Sequence, residues 1–229
     1  MSTPRRIAVL ASGGGSNCEA LCAAIDAAGT DAPARVVLVA SNVATAGVLT
    51  RAGQRGIPVA VLRDPTDGDA LVALLEAHAI DLVVLAGYLR LVPAAVTTRW
   101  ADRVVNVHPA LLPAFGGPGM YGRRVHEAVL AAGCTVSGVT VHLVDEQYDR
   151  GPILAQWPVP VHAEDTAASL AARVLAAEHA LLPAVVLALA AGAVNRTADG
   201  RLMLARRALP AFGPATAPTG AADLPQHTR

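Results

Sequence analysis

The chain has 229 residues, 53% hydrophobic and 16% charged, which is too apolar for a disordered chain and long enough to bury a sizeable core. Its 18 basic residues balance 18 acidic ones, so no global field steers it toward nucleic acid or an acidic membrane. All 18 are Arg, which excludes a P-loop lysine, a Schiff-base lysine and a lysine general base.

Arg6 to Ala11 is a short apolar run, predicted as a strand, ending in Ser-Gly-Gly-Gly-Ser-Asn, and a helix is predicted over Cys18 to Ala28. The alternation repeats: strand Ala34 to Ser41, helix Thr45 to Arg55, strand Ile57 to Leu62, helix Asp69 to His78, strand Leu82 to Gly87 and strand Arg103 to His108. Val/Leu runs apolar on both faces suit a parallel sheet with helices on each side. Residues 113–122 are rich in Gly and Pro and read as a loop. A helix over Arg123 to Ala132 leads into strand Val136 to Val144. Strand Ile153 to Val161 carries Pro158 and Pro160 and is expected at a sheet edge. Thr166 to Ala191 is predicted as one helix or two, because Pro183 should kink or split it. Ala193 to Thr197 and Arg201 to Ala205 resemble a hairpin. The expected fold is a single α/β domain over residues 1–212: a doubly wound, mostly parallel sheet, helices on both faces, and a short carboxyl-terminal hairpin. The Pro/Thr/Ala/Gly-rich stretch 213–229 is expected to be a disordered tail.

Cys18, Cys22 and Cys134 are too few and too unevenly spaced for a disulfide framework or a zinc site. The amino terminus has no apolar leader and the uncharged run Ala180 to Val194 is short for a bilayer span, so a cytoplasmic protein without a membrane partner is expected. The constellation offers no metal-ligand spacing.

Three segments can carry chemistry. In Ser12-Gly13-Gly14-Gly15-Ser16-Asn17 the glycines let backbone N–H groups point outward beside a helix start, forming a cradle for a single phosphate. The alternative is a tight turn with a Ser/Asn helix cap. The dinucleotide fingerprint fails, because its third glycine would fall at Cys18. In Val105-Asn106-Val107-His108-Pro109 the two polar residues share a strand face, and Pro109 ends the strand, placing them where open α/β sheets bind ligands. A carboxamide beside an imidazole can stabilise an oxyanion and move a proton; equally, the two can be a hydrogen-bonded core pair. Asp145-Glu146-Gln147-Tyr148-Asp149-Arg150 reads by composition as a solvated turn, and His142 as structural rather than catalytic.

Together these segments resemble the phosphoribosylglycinamide formyltransferases. The matching features are Ser12-Gly13-x-Gly15-Ser16-Asn17, Leu85-Ala86-Gly87-Tyr88-Leu89-Arg90, Asn106-x-His108-Pro109-x-Leu111-Leu112-Pro113, Val141-His142-x-Val144-Asp145-Glu146-x-x-Asp149-x-Gly151-Pro152-Ile153 and Glu178-His179-x-Leu181-Leu182-Pro183. They span residues 6 to about 195. The resemblance implies transfer of a formyl group from 10-formyltetrahydrofolate, a co-substrate, to the amine of 5-phosphoribosylglycinamide in purine synthesis. It assigns Asn106, His108 and Asp149 as the catalytic set. Asn106 and a protonated His108 are expected to donate to the oxyanion, with Asp149 expected to raise the His108 pKa and fix the orientation of the ring. Gly13, Gly14, Gly15, Ser16 and Asn17 would bind the phosphate and Glu178 the ribose. Tyr88, Leu89, Arg90, Leu91, Val92 and Asn106 would bind the folate, with Arg90 near its glutamate carboxylate, and residues 115–122 would form a flap.

Two positions depart from the family pattern: Ala110 where many members have Ser, and Leu175 where relatives often have Lys or Gln near the phosphate. Phosphate binding is then expected to rest more on the glycine loop, or on an Arg from elsewhere such as Arg123 or Arg124. Within the superfamily, a methionyl-tRNA formyltransferase would usually add a carboxyl-terminal domain and a basic face, and a formyltetrahydrofolate hydrolase an amino-terminal domain. A non-catalytic nucleotide-binding module would leave Asn106, His108 and Asp149 unexplained. The expected partners are small molecules, not nucleic acid, and the expected state is a monomer or homodimer.

Overall fold

The computed structural model describes residues 3–198 and 202–204. The predicted tail, 213–229, lies outside them. Seven strands form one sheet: β1 (Arg5–Leu10), β2 (Ala34–Ser41), β3 (Val59–Val61), β4 (Leu82–Leu85), β5 (Val104–His108), β6 (Val136–Leu143) and β7 (Ile153–Pro160). Their order is β3-β2-β1-β4-β5-β6-β7. The first five are parallel, whereas β6 runs antiparallel to both β5 and β7. The chain therefore winds outward from β1 to β3, returns to β4 beside β1, and winds outward the other way. The crevice at that reversal, at the carboxyl ends of β1 and β4, is where such sheets take ligands.

Alternation along each strand divides the core in two. Ile7 and Val9 of β1, Val39 of β2 and Val105 and Val107 of β5 pack under α1 (Ser16–Ala28), α2 (Gly47–Gln54), α5 (Arg123–Ala131) and α6 (Ala167–Ala190). Ala8, Leu10, Leu38, Ala40 and Val104 pack under α3 (Gly68–Ala77) and α4 (Ala94–Arg99) on the other face. This is the expected doubly wound sheet with helices on both faces, and β8 (Val194–Arg196) pairs antiparallel with β9 (Leu202–Leu204) as the expected hairpin. Helix α4 has no counterpart among the predicted elements: six residues behind Pro93 are too few to show a helical period.

Strand β7 is at the sheet edge, as its prolines require. Pro183, however, does not split the last helix, which runs unbroken from Ala167 to Ala190. Leu181, Leu182, Val185 and Val186 are all buried around the proline, so packing on both sides outweighs the one backbone hydrogen bond it forgoes. Helix α6 has the length and apolarity of a bilayer span, yet Leu170, Val174 and these four residues are buried in the core.

Candidate active site

Asn106 and His108 leave β5 on the face opposite the buried Val105 and Val107, as the period-two pattern requires. Pairing with β6 sets His142 directly across from Asn106, and Thr140 across from His108. Thr140 then fixes the chain beyond Pro109. Its hydroxyl donates to Ala110 O at 2.7 Å and accepts from the Leu112 amide at 2.9 Å. Asp149 arrives from the loop between β6 and β7, on a backbone with φ of 56°. That loop is set by Gly151, where a Cβ would overlap the Leu143 carbonyl oxygen.

The groups converge. His108 Nδ1 lies 3.6 Å from Asp149 Oδ2, and His142 Nε2 lies 3.6 Å from Asp149 Oδ1. The Asn106 amide nitrogen is 3.1 Å from His142 Nε2. The other His142 nitrogen, Nδ1, faces Leu143 O at 2.7 Å. A carbonyl only accepts, so the proton of the neutral ring sits on Nδ1 and Nε2 accepts from Asn106. This fixes which way the carboxamide points: one N–H goes to His142, and the second N–H and the oxygen remain for the cleft.

Residues 115–122 form a loop that covers the pair. Phe115 O accepts from His108 Nε2 at 2.8 Å, and the Gly117 amide donates to Asp149 Oδ2 at 2.8 Å. Gly116 between them has no room for a side chain, because a Cβ would stand 2.5 Å from Leu112 Cδ2 and 3.1 Å from the Asp149 Cβ.

Electrostatics corrects one expectation. Burial depresses the His108 pKa, and Asp149, which pulls it upward, does not make up the loss. The side chain is only 4% exposed, so desolvation of the cation dominates. For Asp149 burial pushes upward, but its polar surroundings, with the Gly117 amide donating to Oδ2, hold the carboxyl below its ordinary value. The site thus rests with an ionised carboxylate beside a neutral imidazole.

The cleft has a volume of about 340 Å³. All three expected catalytic residues line it, as do Tyr88, Leu89, Arg90, Leu91 and Val92. Tyr88 is buried, with its hydroxyl unpartnered and its pKa raised by burial to about 12. Asn17 and Glu178 also line the cleft, both buried, with the Asn17 amide donating to Glu178 Oε2 and Asn17 Oδ1 unpartnered. Burial raises the Glu178 pKa, against the opposing bond from Asn17.

Gly13, Gly14, Gly15 and Ser16 do not line the cleft itself; they form the turn leading to Asn17. No side chain caps the turn: Gly15 is the N-cap of α1, at φ of 85°, with no side-chain hydrogen bond there. Neither Arg123 nor Arg124 is brought to the cleft. Arg123 pairs with Glu127 at 2.7 Å and Arg124 stacks on Tyr121. Leu175 is half-buried on α6, away from the cleft lining.

His142, Gln147 and Tyr148 line the site without having been predicted to. His142 was legible only as a residue on the strand beside β5, since its register with Asn106 depends on pairing across 36 positions. Among the described residues no group of three or more His, Cys, Asp or Glu side chains is arranged to hold a metal ion.

The chain is similar to proteins of known activity. Residues 5–186 match the family described as formyl transferase. The chain is 44% identical over 206 residues to the chloroplastic phosphoribosylglycinamide formyltransferase of Arabidopsis thaliana, covering 86% of this chain and 70% of that one. It is 44% identical over 200 residues to phosphoribosylglycinamide formyltransferase of Mycobacterium tuberculosis, covering 85% and 89% respectively. The crystal structure of phosphoribosylglycinamide formyltransferase from Anaplasma phagocytophilum superposes with a TM-score of 0.81 at 38% identity, covering 88% of this chain and 94% of that one.

Proposed function

The chain belongs to the formyl transferases, in the phosphoribosylglycinamide branch, and from that membership we propose how its own residues carry the reaction. It is an enzyme of purine biosynthesis that moves a formyl group from a formylated folate to the glycinamide ribonucleotide. The observation that carries the residue assignment is the convergence of Asn106, His108 and Asp149 in one cleft that Tyr88 to Val92 and the Asn17–Glu178 pair also line.

One end is an apolar wall, Tyr88 to Val92, suited to a flat heteroaromatic ring and offering the Tyr88 hydroxyl as an unused polar handle. This is the folate end, with 10-formyltetrahydrofolate as donor and Arg90 placed to meet its glutamate carboxylate. The other end leads through Asn17 and Glu178 to the glycine turn, where the uncapped start of α1 suits a phosphate and Glu178 a ribose hydroxyl. The reacting amine then lies near Asn106 and His108.

Attack of that amine on the formyl carbon builds negative charge on the formyl oxygen. The free N–H of Asn106 donates to it, oriented by His142. His108 Nε2 joins once the Phe115 carbonyl yields to substrate. With Nε2–H given to the oxyanion, the proton lost by the amine goes to the bare Nδ1, where the adjacent carboxylate stabilises the imidazolium that forms. The intermediate then collapses as the bond from the formyl carbon to the folate nitrogen breaks, and the imidazolium returns the proton to that leaving nitrogen, releasing tetrahydrofolate and the formylated ribonucleotide. Burial that keeps His108 neutral at rest makes it a ready base at neutral pH, and Asp149 supplies the countercharge when it is protonated. Arginine-free phosphate binding, through the turn's backbone, accommodates Leu175. We further assign the enzyme to the cytoplasm, as a monomer or homodimer with small molecules as its partners.

The test is formyl transfer measured with and without the ribonucleotide. Release of tetrahydrofolate that depends on the ribonucleotide is expected; release without it would make the chain a hydrolase.

A further inference from the structure

We propose that Ser12 is a positioning residue for the folate end of the site, although its place in the chain puts it at the head of the phosphate turn. The proposal deepens the reading above and rests on the assignment of Tyr88 to Val92 to the folate.

Ser12 follows β1 directly, and its amide donates to Gly87 O at 2.9 Å. A hydroxyl has one proton to give and two lone pairs to receive. The Ser12 proton goes to Asn42 Oδ1 at 2.6 Å, and one lone pair takes the Leu89 amide at 3.0 Å. Asn42 follows β2 and Leu89 follows β4, so a single oxygen ties together the ends of three adjacent strands. The turn that starts one residue later hangs from a different anchor: Gly13 O accepts the Val48 amide of α2 at 3.1 Å. The Ser12 side chain therefore serves the wall at 88–92 and not the glycine turn. The wall needs such a tether at its centre. Leu89 is 46% exposed, whereas Tyr88 and Val92 on either side are buried. Asn42 in turn holds the hydroxyl's proton away from Leu89, leaving a lone pair to accept.

Steady-state kinetics of Ser12→Ala, Asn42→Ala and the double variant test this in the full chain. Ser12→Ala should raise the KM for the formylated folate roughly three- to tenfold, the range of one lost hydrogen bond, and leave the KM for the ribonucleotide within about twofold. Asn42→Ala should act in the same direction and more weakly. The double variant should match Ser12→Ala, because the two side chains act through one oxygen. Ser12→Thr, which keeps the hydroxyl, should restore most of the folate KM. A ribonucleotide KM that rose as much as the folate KM would overturn the proposal. Hydrogen exchange reads the same tether without substrate: the Leu89 amide should exchange faster in Ser12→Ala and in Asn42→Ala, and the Val48 amide at its wild-type rate. An unchanged Leu89 rate overturns the proposal even where formyl transfer stands. Failure of the wild-type chain to transfer formyl, with Leu89 exchange quickened, removes the functional reading and leaves the tether.

Discussion

His108 and Asp149 face each other across 3.6 Å, and burial rather than the carboxylate decides the resting charge of the imidazole. With Nε2–H donated to Phe115 O, the neutral ring turns a bare Nδ1 toward an anion. The pair is poised to capture a proton, and the cost of burying an imidazolium is what delays the capture.

A pH dependence follows. The folded His108 pKa lies below its ordinary value of 6.5, so the kcat/KM limb that reports its ionisation in the free enzyme is expected below pH 6.5. Asp149→Asn removes the one upward influence of charge and leaves the burial, so that limb should move lower still. The sign for stability is the same. Between the folded pKa and 6.5 the unfolded chain binds the proton more readily, so the contribution of a neutral His108 is fully present above 6.5 and is lost as pH falls through that window. A kcat/KM profile for wild type and Asp149→Asn checks this; a limb that stayed put or moved up would place the controlling carboxylate elsewhere, with Asp145 and Glu146 the first to examine.

Asn106 does not titrate. Asn106→Ala should lower kcat by about 10²–10³, the cost of one oxyanion donor, and leave the shape of the pH profile intact. His142→Ala frees the amide to rotate and should cost roughly tenfold. In the Asn106→Ala background the same change should cost little, since the two act through one hydrogen bond. Single-turnover rates of the four proteins separate this from independent effects, which would multiply.

The glycine turn calls for a choice of position. Gly15, at φ of 85°, would place a Cβ 2.6 Å from Val48 Cγ2, so a side chain there carries a strain of about 1–3 kcal/mol before any ligand is involved. Gly14 has open space around its Cβ position. Gly14→Ala should therefore leave the melting temperature within a degree or two while raising the KM for the ribonucleotide and sparing that for the folate. If the folate KM rose instead, the two ends of the cleft would have been assigned the wrong way round.

The sheet was legible because buried parallel strands announce themselves as continuous apolar runs, and Asn106 and His108 because they interrupt one of those runs with period two. Pro158 and Pro160 declared the edge strand by what they cannot donate. The rest depended on distance along the chain. Asp149 joins His108 across 41 positions, and its six-residue turn has the composition of solvated surface; only the family resemblance singled it out. His142 looked like a strand residue and is one, but strand pairing places it against Asn106. The unbroken α6 shows the limit of local rules, since neighbours packed on both sides of Pro183 override its preference. The charge on His108 was misjudged for a related reason: sequence names the partner carboxylate and is silent on how dry the imidazole is.

Glu178 offers the sharpest separation of stability from function. It is 8% exposed, and burial raises its pKa above the ordinary 4.5, opposed only by the bond from Asn17. Between 4.5 and the raised value the folded chain holds the proton more tightly than the unfolded one, so stability falls as pH rises through that window, and the full cost of the buried carboxylate is present above it. Glu178→Gln keeps an oxygen to accept from Asn17 and removes the charge. The melting temperature should rise at pH 8, change little at pH 4, and vary less between them than in the wild type. Binding should suffer in return, because a neutral amide is a weaker acceptor for a ribose hydroxyl than a desolvated carboxylate. A fall of roughly ten- to a hundredfold in kcat/KM for the ribonucleotide is expected, with the folate KM little changed. Thermal melts across pH and kinetics on the same preparations read both. A variant no more stable at pH 8 would mean that ionised Glu178 is stabilised by more than Asn17. A more stable variant with unaltered kinetics would remove Glu178 from the ribose site.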